Sequence, residues 1–168
     1  MEIQPEVAEK HLSSLSQLLA NTVNNGASIG FLAPLDTTSA LAYWQGVIES
    51  LNAEEISLFL ALDENERTAG AVQLARCPKH NGRHRAEVKK LMVHTDYRKQ
   101  GVATGLMDML ENTARQWGLG LLVLDTATGE VAEGMYEKRG YQRVGEIPDF
   151  ATLPCGEKHP TTFFYKLI

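Results

Sequence analysis

The stretch "DYRKQGVATGLM", residues 96–107, decides the reading of this chain. Arg98, Lys99 and Gln100 run into Gly101, a small Ala103 and Gly105, and an apolar helical pattern begins at Val102. Glycine costs backbone entropy, so its place directly in front of a helix needs a reason. Anion binding supplies one. The first N–H groups of a helix have no acceptor within it, and the helix dipole puts its positive end there. Small residues let a pyrophosphate approach the main chain, and Arg98 and Lys99 add charge. The spacing is not G-x-x-x-x-G-K-[ST], and it lacks G-x-G-x-x-G, so neither a nucleotide P-loop nor a dinucleotide fingerprint is present. For these residues alone, a solvated basic turn is the plainer alternative.

Working outward, "HRAEVKKLMVH" (84–94) reads as a strand leading into the loop. Beyond it, apolar residues recur at 106, 109, 110, 114 and 117, a helix that Gly118 ends. "LGLLVLDT" (119–126) is a continuous apolar run, the pattern of a strand buried on both faces. "VAEGMYEKRG" (131–140) fits a short helix with Gly140 at its end, and "YQRVGEI" and "TTFFYKLI" finish as strands. Upstream, residues 6–23 carry Val7, Leu12, Leu15, Leu18, Leu19 and Val23 at helical spacing. "NNGASIGFLAPLD" (24–36) is a loop, and Asp36, Thr37, Thr38 or Ser39 can cap a second helix with Leu41, Trp44, Val47, Ile48 and Leu51 on its apolar face. "ISLFLALD" (56–63) and "RTAGAVQLAR" (67–76) form an antiparallel hairpin across a polar turn. This order predicts an α/β fold in one domain over residues 1–168: a mixed, mostly antiparallel sheet with helices on both faces.

Composition narrows the function. Hydrophobic content of 43% and charge of 22% suit a soluble globular chain, and a formal charge of −5 gives no footprint for nucleic acid. Cys77 and Cys155 lie far apart and read as reduced thiols. The five histidines show no metal-ligand spacing, so no metal is expected. The first residues, "MEIQPEVAEK", hold no apolar signal core and no run reaches membrane-spanning length. A cytoplasmic protein without membrane or nucleic-acid partners is expected.

The loop Arg98-Lys-Gln-Gly-Val-Ala103 resembles the R/Q-x-x-G-x-G/A loop of the GNAT superfamily of acyl-CoA N-acyltransferases. "KLMVHTDYRKQGVATGLM" resembles that family's signature strand, loop and helix, and "LLVLDT…MYEKRGYQRVGE" its second half, with a Y-x-x-x-G-Y/F element from Tyr136 to Tyr141. Residues 26–36 and 157–166 are similar to a narrower group, the tabtoxin-resistance acetyltransferases. The resemblance implies a GNAT fold and acetyl-CoA as co-substrate. It places acetyl-CoA in a splay between the strands at 87–94 and 120–125, with the backbone of Leu91, Met92 and Val93 along its pantetheine arm. Backbone N–H groups of Arg98, Lys99, Gln100, Gly101, Val102, Ala103 and Thr104 would hold its pyrophosphate. It also implies a bulge in the first strand that frees an N–H for the thioester carbonyl. A homodimer is a family-level expectation.

Acetyl transfer needs a neutral amine, and an alkylamine of pKa near 10.4 is almost wholly protonated at pH 7. A base for the amine and an acid for the departing thiolate therefore help. Glu87 is either a surface strand residue paired with Arg85 or Lys89, or the base that the resemblance implies at this position. Asp125, closing the apolar run, is either a turn former or a site residue at the end of a central strand. Tyr136 is either a core residue of a short helix or the acid. Neither cysteine has a His or Asp companion, which leaves direct attack by the amine. The expected acceptor is a small amino-acid-like or toxin molecule, bound by the N-terminal helices, the loop at 25–36 and the last hairpin around 149–160, where "PDFATLPCGEKHPTT" has the polar, turn-rich composition of a mobile binding loop. Protein, polyamine and aminoglycoside amines are the alternatives, and an acyl-CoA-binding regulatory module without turnover is the reading from another class.

Overall fold

The computed structural model describes residues 2–168. The chain runs β1 (Glu2–Ile3), α1 (Pro5–Lys10), α2 (Leu12–Asn24), α3 (Thr37–Asn52), β2 (Ile56–Leu62), β3 (Thr68–Arg76), β4 (Arg85–Val93), α4 (Val102–Gln116), β5 (Leu121–Ala127), α5 (Val131–Lys138), β6 (Gln142–Thr152) and β7 (Lys158–Leu167). Short 3-10 turns sit at His80–Gly82 and Thr95–Tyr97. The strands form one sheet in the order β1-β2-β3-β4-β5-β7-β6. Every neighbouring pair is antiparallel except β4 and β5.

Alternation along the strands splits the core into two layers. Leu58, Leu60, Ala71 and Met92 face α1, α2 and α3, with Trp44, Leu15 and Leu18 fully buried against them. Phe59, Val72, Leu74, Val88, Leu122, Leu124 and Phe164 face α4 and α5 on the other side. Each fully buried Leu or Phe adds roughly 1.5–3 kcal/mol of favourable transfer. The helix expected over 6–23 is interrupted at His11 (φ −95°, ψ 7°), which separates α1 from α2. Asp36 caps α3, its carboxylate accepting from the Ser39 N–H at 2.8 Å.

One expectation is corrected and another is refined. β5 is not buried on both faces: Leu122 and Leu124 are buried on the α4 side, while Val123 is half-buried and Asp125 exposed on the other. Its apolar run reflects a wall that helices leave partly open. The hairpin expected around 149–160 is present, and less of it is loop than its polar composition suggests. Ala151 and Thr152 pair with His159 and Lys158, so β6 and β7 form a long hairpin whose turn spans 153–157. Polar composition hides this pairing because the ladder is made by backbone groups.

Candidate active site

β4 and β5 are hydrogen-bonded only over Arg85–Leu121, Ala86–Leu122 and Glu87–Val123. Beyond Glu87 the two strands part, and the edge of β4 over residues 88–93 has no strand beside it on that side. On its other edge β4 stays paired with β3, but with a bulge. Gln73 faces Lys89 and Ala71 faces Met92, so Val72 stands opposite both Lys90 and Leu91. Lys90 adopts φ 54°, a left-handed conformation that costs on the order of 1–3 kcal/mol for a side-chain-bearing residue. The bulge reverses the parity of the strand: Val88 and Leu91 face α4, while Met92 packs among α1–α3. An extra residue in a bulge is left out of the ladder.

The loop that follows is rich in unspent donors. Arg98 N–H is already turned to Thr95 O at 3.4 Å, which corrects the expected start of the donor run by one residue. Among the described residues, none of the backbone N–H groups from Lys99 to Thr104 has a hydrogen-bond partner, and the first bond of α4 is Gly105 N–H to Gly101 O at 2.9 Å. Lys99 and Gly101 are both left-handed, at φ 60° and 80°. Such a succession curls consecutive N–H groups into an anion-binding concavity at the positive end of a helix. A Cβ on Gly101 would meet no protein atom, so only the backbone conformation and an approaching ligand ask for glycine there.

Side chains hold this loop in shape. Gln100 Nε2 donates to Asp96 O at 2.9 Å, and Arg98 Nε reaches Val93 O at 3.4 Å. Tyr97 O–H donates to Asp63 at 2.6 Å, tying the loop to the β2–β3 turn. That bond, with the Arg67 backbone and guanidinium, holds the Asp63 carboxyl well below the usual carboxylate range. Gly70 lets α4 settle on the sheet: a Cβ there would lie 2.9 Å from Met92 O and Val102 Cγ1. Asp63 and Gly70 escaped the sequence reading, since neither sits in the loop it braces.

Facing the splay on the α1–α3 side are Glu87, Lys89, Lys90 and Asp125. Glu87 and Lys89 approach to 3.5 Å. Lys90 Nζ donates to Ile29 O at 2.6 Å and stands 5.5 Å from the Phe31 ring centroid. Burial and the neighbouring Lys89 push the Lys90 ammonium down. The Asp125 carboxyl is pushed up, first by desolvation and then by the Glu87 charge, with Lys90 and Lys89 opposing. Sequence reasoning placed Glu87 and Asp125 together; Lys90, at the bulge, carried no signal in the sequence.

Tyr136 is buried in the layer under α5, edge-on to Tyr141 (5.6 Å) and 6.0 Å from Phe164. It is a core side chain, and its hydroxyl, among the described residues, has no hydrogen-bond partner. Burial, with the Asp125 charge adding to it, pushes that hydroxyl up to about 12. Arg139 anchors α5 to α4 through Asp108 at 2.7 Å and buried Glu111 at 3.1 Å, fixing where Tyr136 sits.

Two segments far apart in sequence flank the carboxylates. The 25–36 loop is held by Asn24, whose amide makes two bonds with the Leu35 backbone, and by Lys90. Its Ala33 N–H donates to Pro154 O at 3.0 Å, so the loop and the tip of the β6–β7 hairpin meet. On the hairpin, Phe163 lies directly opposite Asp125. Phe150 stands edge-on to Phe163 at 5.2 Å. No group of three or more His, Cys, Asp or Glu side chains gathers to suit a metal among the described residues, and no helix there is long and apolar enough to cross a membrane.

Known proteins share this architecture. A ribosomal-protein-alanine N-acetyltransferase from Brucella melitensis superposes with TM-score 0.79 at 19% identity, covering 95% of this chain and 96% of its own. An N-acetyltransferase from Staphylococcus aureus Mu50 gives 0.80 at 15% identity, covering 99% and 96%. The Salmonella typhimurium protein yncA, in a structure with its cofactor acetyl-CoA, gives 0.76 at 16% identity, covering 99% and 91%. At these identities the likeness speaks for the fold. Residues 18–141 match the acetyltransferase (GNAT) family itself. The chain belongs to that family and is an acetyltransferase of the GNAT fold.

Proposed function

We propose that the protein moves an acetyl group from acetyl-CoA to the primary amine of a small, amino-acid-like acceptor by direct attack. The observation that carries this reading is one placement. A run of free backbone donors, Lys99 to Thr104, ends the same splay that Glu87 and Asp125 face. The donors fit a pyrophosphate, and the unpaired edge of β4 from Leu91 to Val93 fits an amide-bearing arm. Acetyl-CoA, when bound, supplies an acyl carbon activated as a thioester.

The chain's own residues then divide the work. Glu87 and Asp125 attract the acceptor ammonium. The ammonium first gives one proton to solvent; as the neutral nitrogen then bonds to the acyl carbon and the carbon–sulfur bond breaks, that nitrogen becomes strongly acidic, and Asp125 takes its second proton. A carboxyl held above its ordinary value is a better base than it would be in water. The electron pair of the broken bond stays on sulfur. The Tyr136 hydroxyl, protonated up to about 12, supports that sulfur as a hydrogen-bond donor. Outright proton transfer from it to a thiolate, whose acid has a pKa near 8.5, would run uphill. The expected acid thus becomes a donor that stabilises charge, and solvent completes the thiol. The bulge at Lys90–Leu91 leaves a backbone N–H to polarise the carbonyl.

A small acceptor is favoured over a protein terminus because the 25–36 loop and the hairpin tip join at Ala33 and Pro154. The resemblance of residues 26–36 and 157–166 to tabtoxin-resistance enzymes points the same way. Melting temperatures with acetyl-CoA, CoA and ATP, followed by thiol release with an amine panel, test the reading. Stabilisation by both CoA forms with turnover is expected. A ligand at 100 times its Kd adds about 2.7 kcal/mol, an easily read rise. Stabilisation with no amine ever acetylated would favour the regulatory module instead.

A further inference from the structure

Register places two rows of side chains on the open face of β5. Glu87, Val123, Tyr165 and Gln142 align across β4, β5, β7 and β6, because Glu87 pairs with Val123, Val123 with Tyr165, and Tyr165 with Gln142. The next row is Asp125, Phe163 and Gly145. Residues directly opposite in an antiparallel pair share a face. Phe163 therefore stands beside the carboxylate that takes the proton, and Gly145 beyond it offers no side chain to cover the ring.

Phe150 reaches back to that ring. A bulge between Ile147 and Ala151 breaks the β6 register, and Asp149 at φ 53° turns the strand there. Phe150 meets Phe163 edge-on at 5.2 Å yet keeps 51% of its surface in solvent. A half-exposed aromatic pair next to a carboxylate on the same open face is a recognition feature rather than core. Charge narrows the ligand further. The charged side chains that act on Asp125, namely Glu87, Lys89 and Lys90, balance it to a sum of zero, so the reactive end is no acidic trough for several cations.

Building on the proposed acetyl transfer, we infer that the acceptor carries, close to its amine, a flat apolar group that lies against Phe150 and Phe163. The pair is the specificity wall and Asp125 the reactive end of one pocket. Polyamines and aminoglycosides, with several separated cations and no flat apolar body, do not match it.

Phenylalaninamide and alaninamide, which differ by one phenyl ring, test this directly. With acetyl-CoA as donor and thiol release as readout, kcat/KM for phenylalaninamide should exceed that for alaninamide about tenfold or more. Phe150→Ser, at an exposed position that leaves the core intact, should bring the ratio toward one. Phe163→Leu should lower it less. Leu167→Ser, on the far end of β7 and 71% exposed, should keep the full ratio. Equal rates for the two amides in the wild type, an unchanged ratio in Phe150→Ser, or spermidine as the better acceptor would each overturn the inference. If acetyl-CoA raises the melting temperature but neither amide reacts, the acceptor class is wrong and the donor reading stands. If acetyl-CoA gives no stabilisation, the acetyl-transfer reading fails and takes this one with it.

Discussion

On the donor side of the cleft the groups that face a ligand are backbone: the free N–H donors from Lys99 to Thr104 and the open edge of β4. On the acceptor side they are side chains: Glu87, Asp125, Lys90, Phe150 and Phe163, contributed by four strands. Backbone donors recognise what is constant in a co-substrate and need only the right conformation, which Lys99 and Gly101 adopt at positive φ. Side chains recognise what varies between acceptors, and their positions come from register and bulges. The two sides therefore respond to different kinds of substitution.

The largest effect should come from the acceptor side. Asp125→Asn removes the base and should lower kcat by about 10²–10⁴-fold, with acetyl-CoA affinity unchanged by calorimetry. Tyr136→Phe keeps the ring packing and loses only the donor to sulfur. A fall in kcat of about 10–100-fold with KM for the amine little altered is expected from steady-state kinetics. A fully active Tyr136→Phe enzyme would remove the hydroxyl from the mechanism.

Gly101→Val acts on the other side. The new side chain meets no protein atom but opposes the left-handed backbone by about 1–2 kcal/mol and stands where a pyrophosphate would come. Acetyl-CoA affinity should weaken about tenfold or more, with kcat at saturation close to wild type.

The finest test is a pH profile. Asp125 must be ionised to accept a proton, so kcat/KM should rise with pH through its pKa, which lies above the ordinary carboxylate value. Glu87→Gln removes a like charge that holds that pKa up, so the rising limb should move to lower pH while activity persists. Complete loss of activity would make Glu87 the base and reverse the two roles.

Much of the donor side was legible in the sequence for a physical reason. Loop, glycine and helix start lie within a dozen residues, and each leaves a compositional mark. The strand pattern of 84–94 and the helix from 102 follow from periodicity alone. Pattern could not show the β4 bulge, because Lys90 is an unremarkable residue in a basic run and its left-handed turn depends on the pairing with β3. How far the last hairpin stays paired was hidden for a related reason. Pro148, Asp149, Pro154 and Gly156 look like a free loop, yet backbone pairing between residues 151–152 and 158–159 fixes it. Phe150 and Phe163 meet across that pairing, so nothing in their spacing announced them. Glu87 was recognisable as a candidate only through the family resemblance and Asp125 also by its place at the end of an apolar strand, whereas the desolvation that raises Asp125 belongs to the fold.

Calorimetric titration of acetyl-CoA into the wild type, Gly101→Val and Asp125→Asn tests the division of the cleft most directly. The account predicts wild-type affinity in Asp125→Asn and at least a tenfold loss in Gly101→Val, with both variants folded by circular dichroism. Equal affinity in Gly101→Val, or a loss confined to Asp125→Asn, would contradict it.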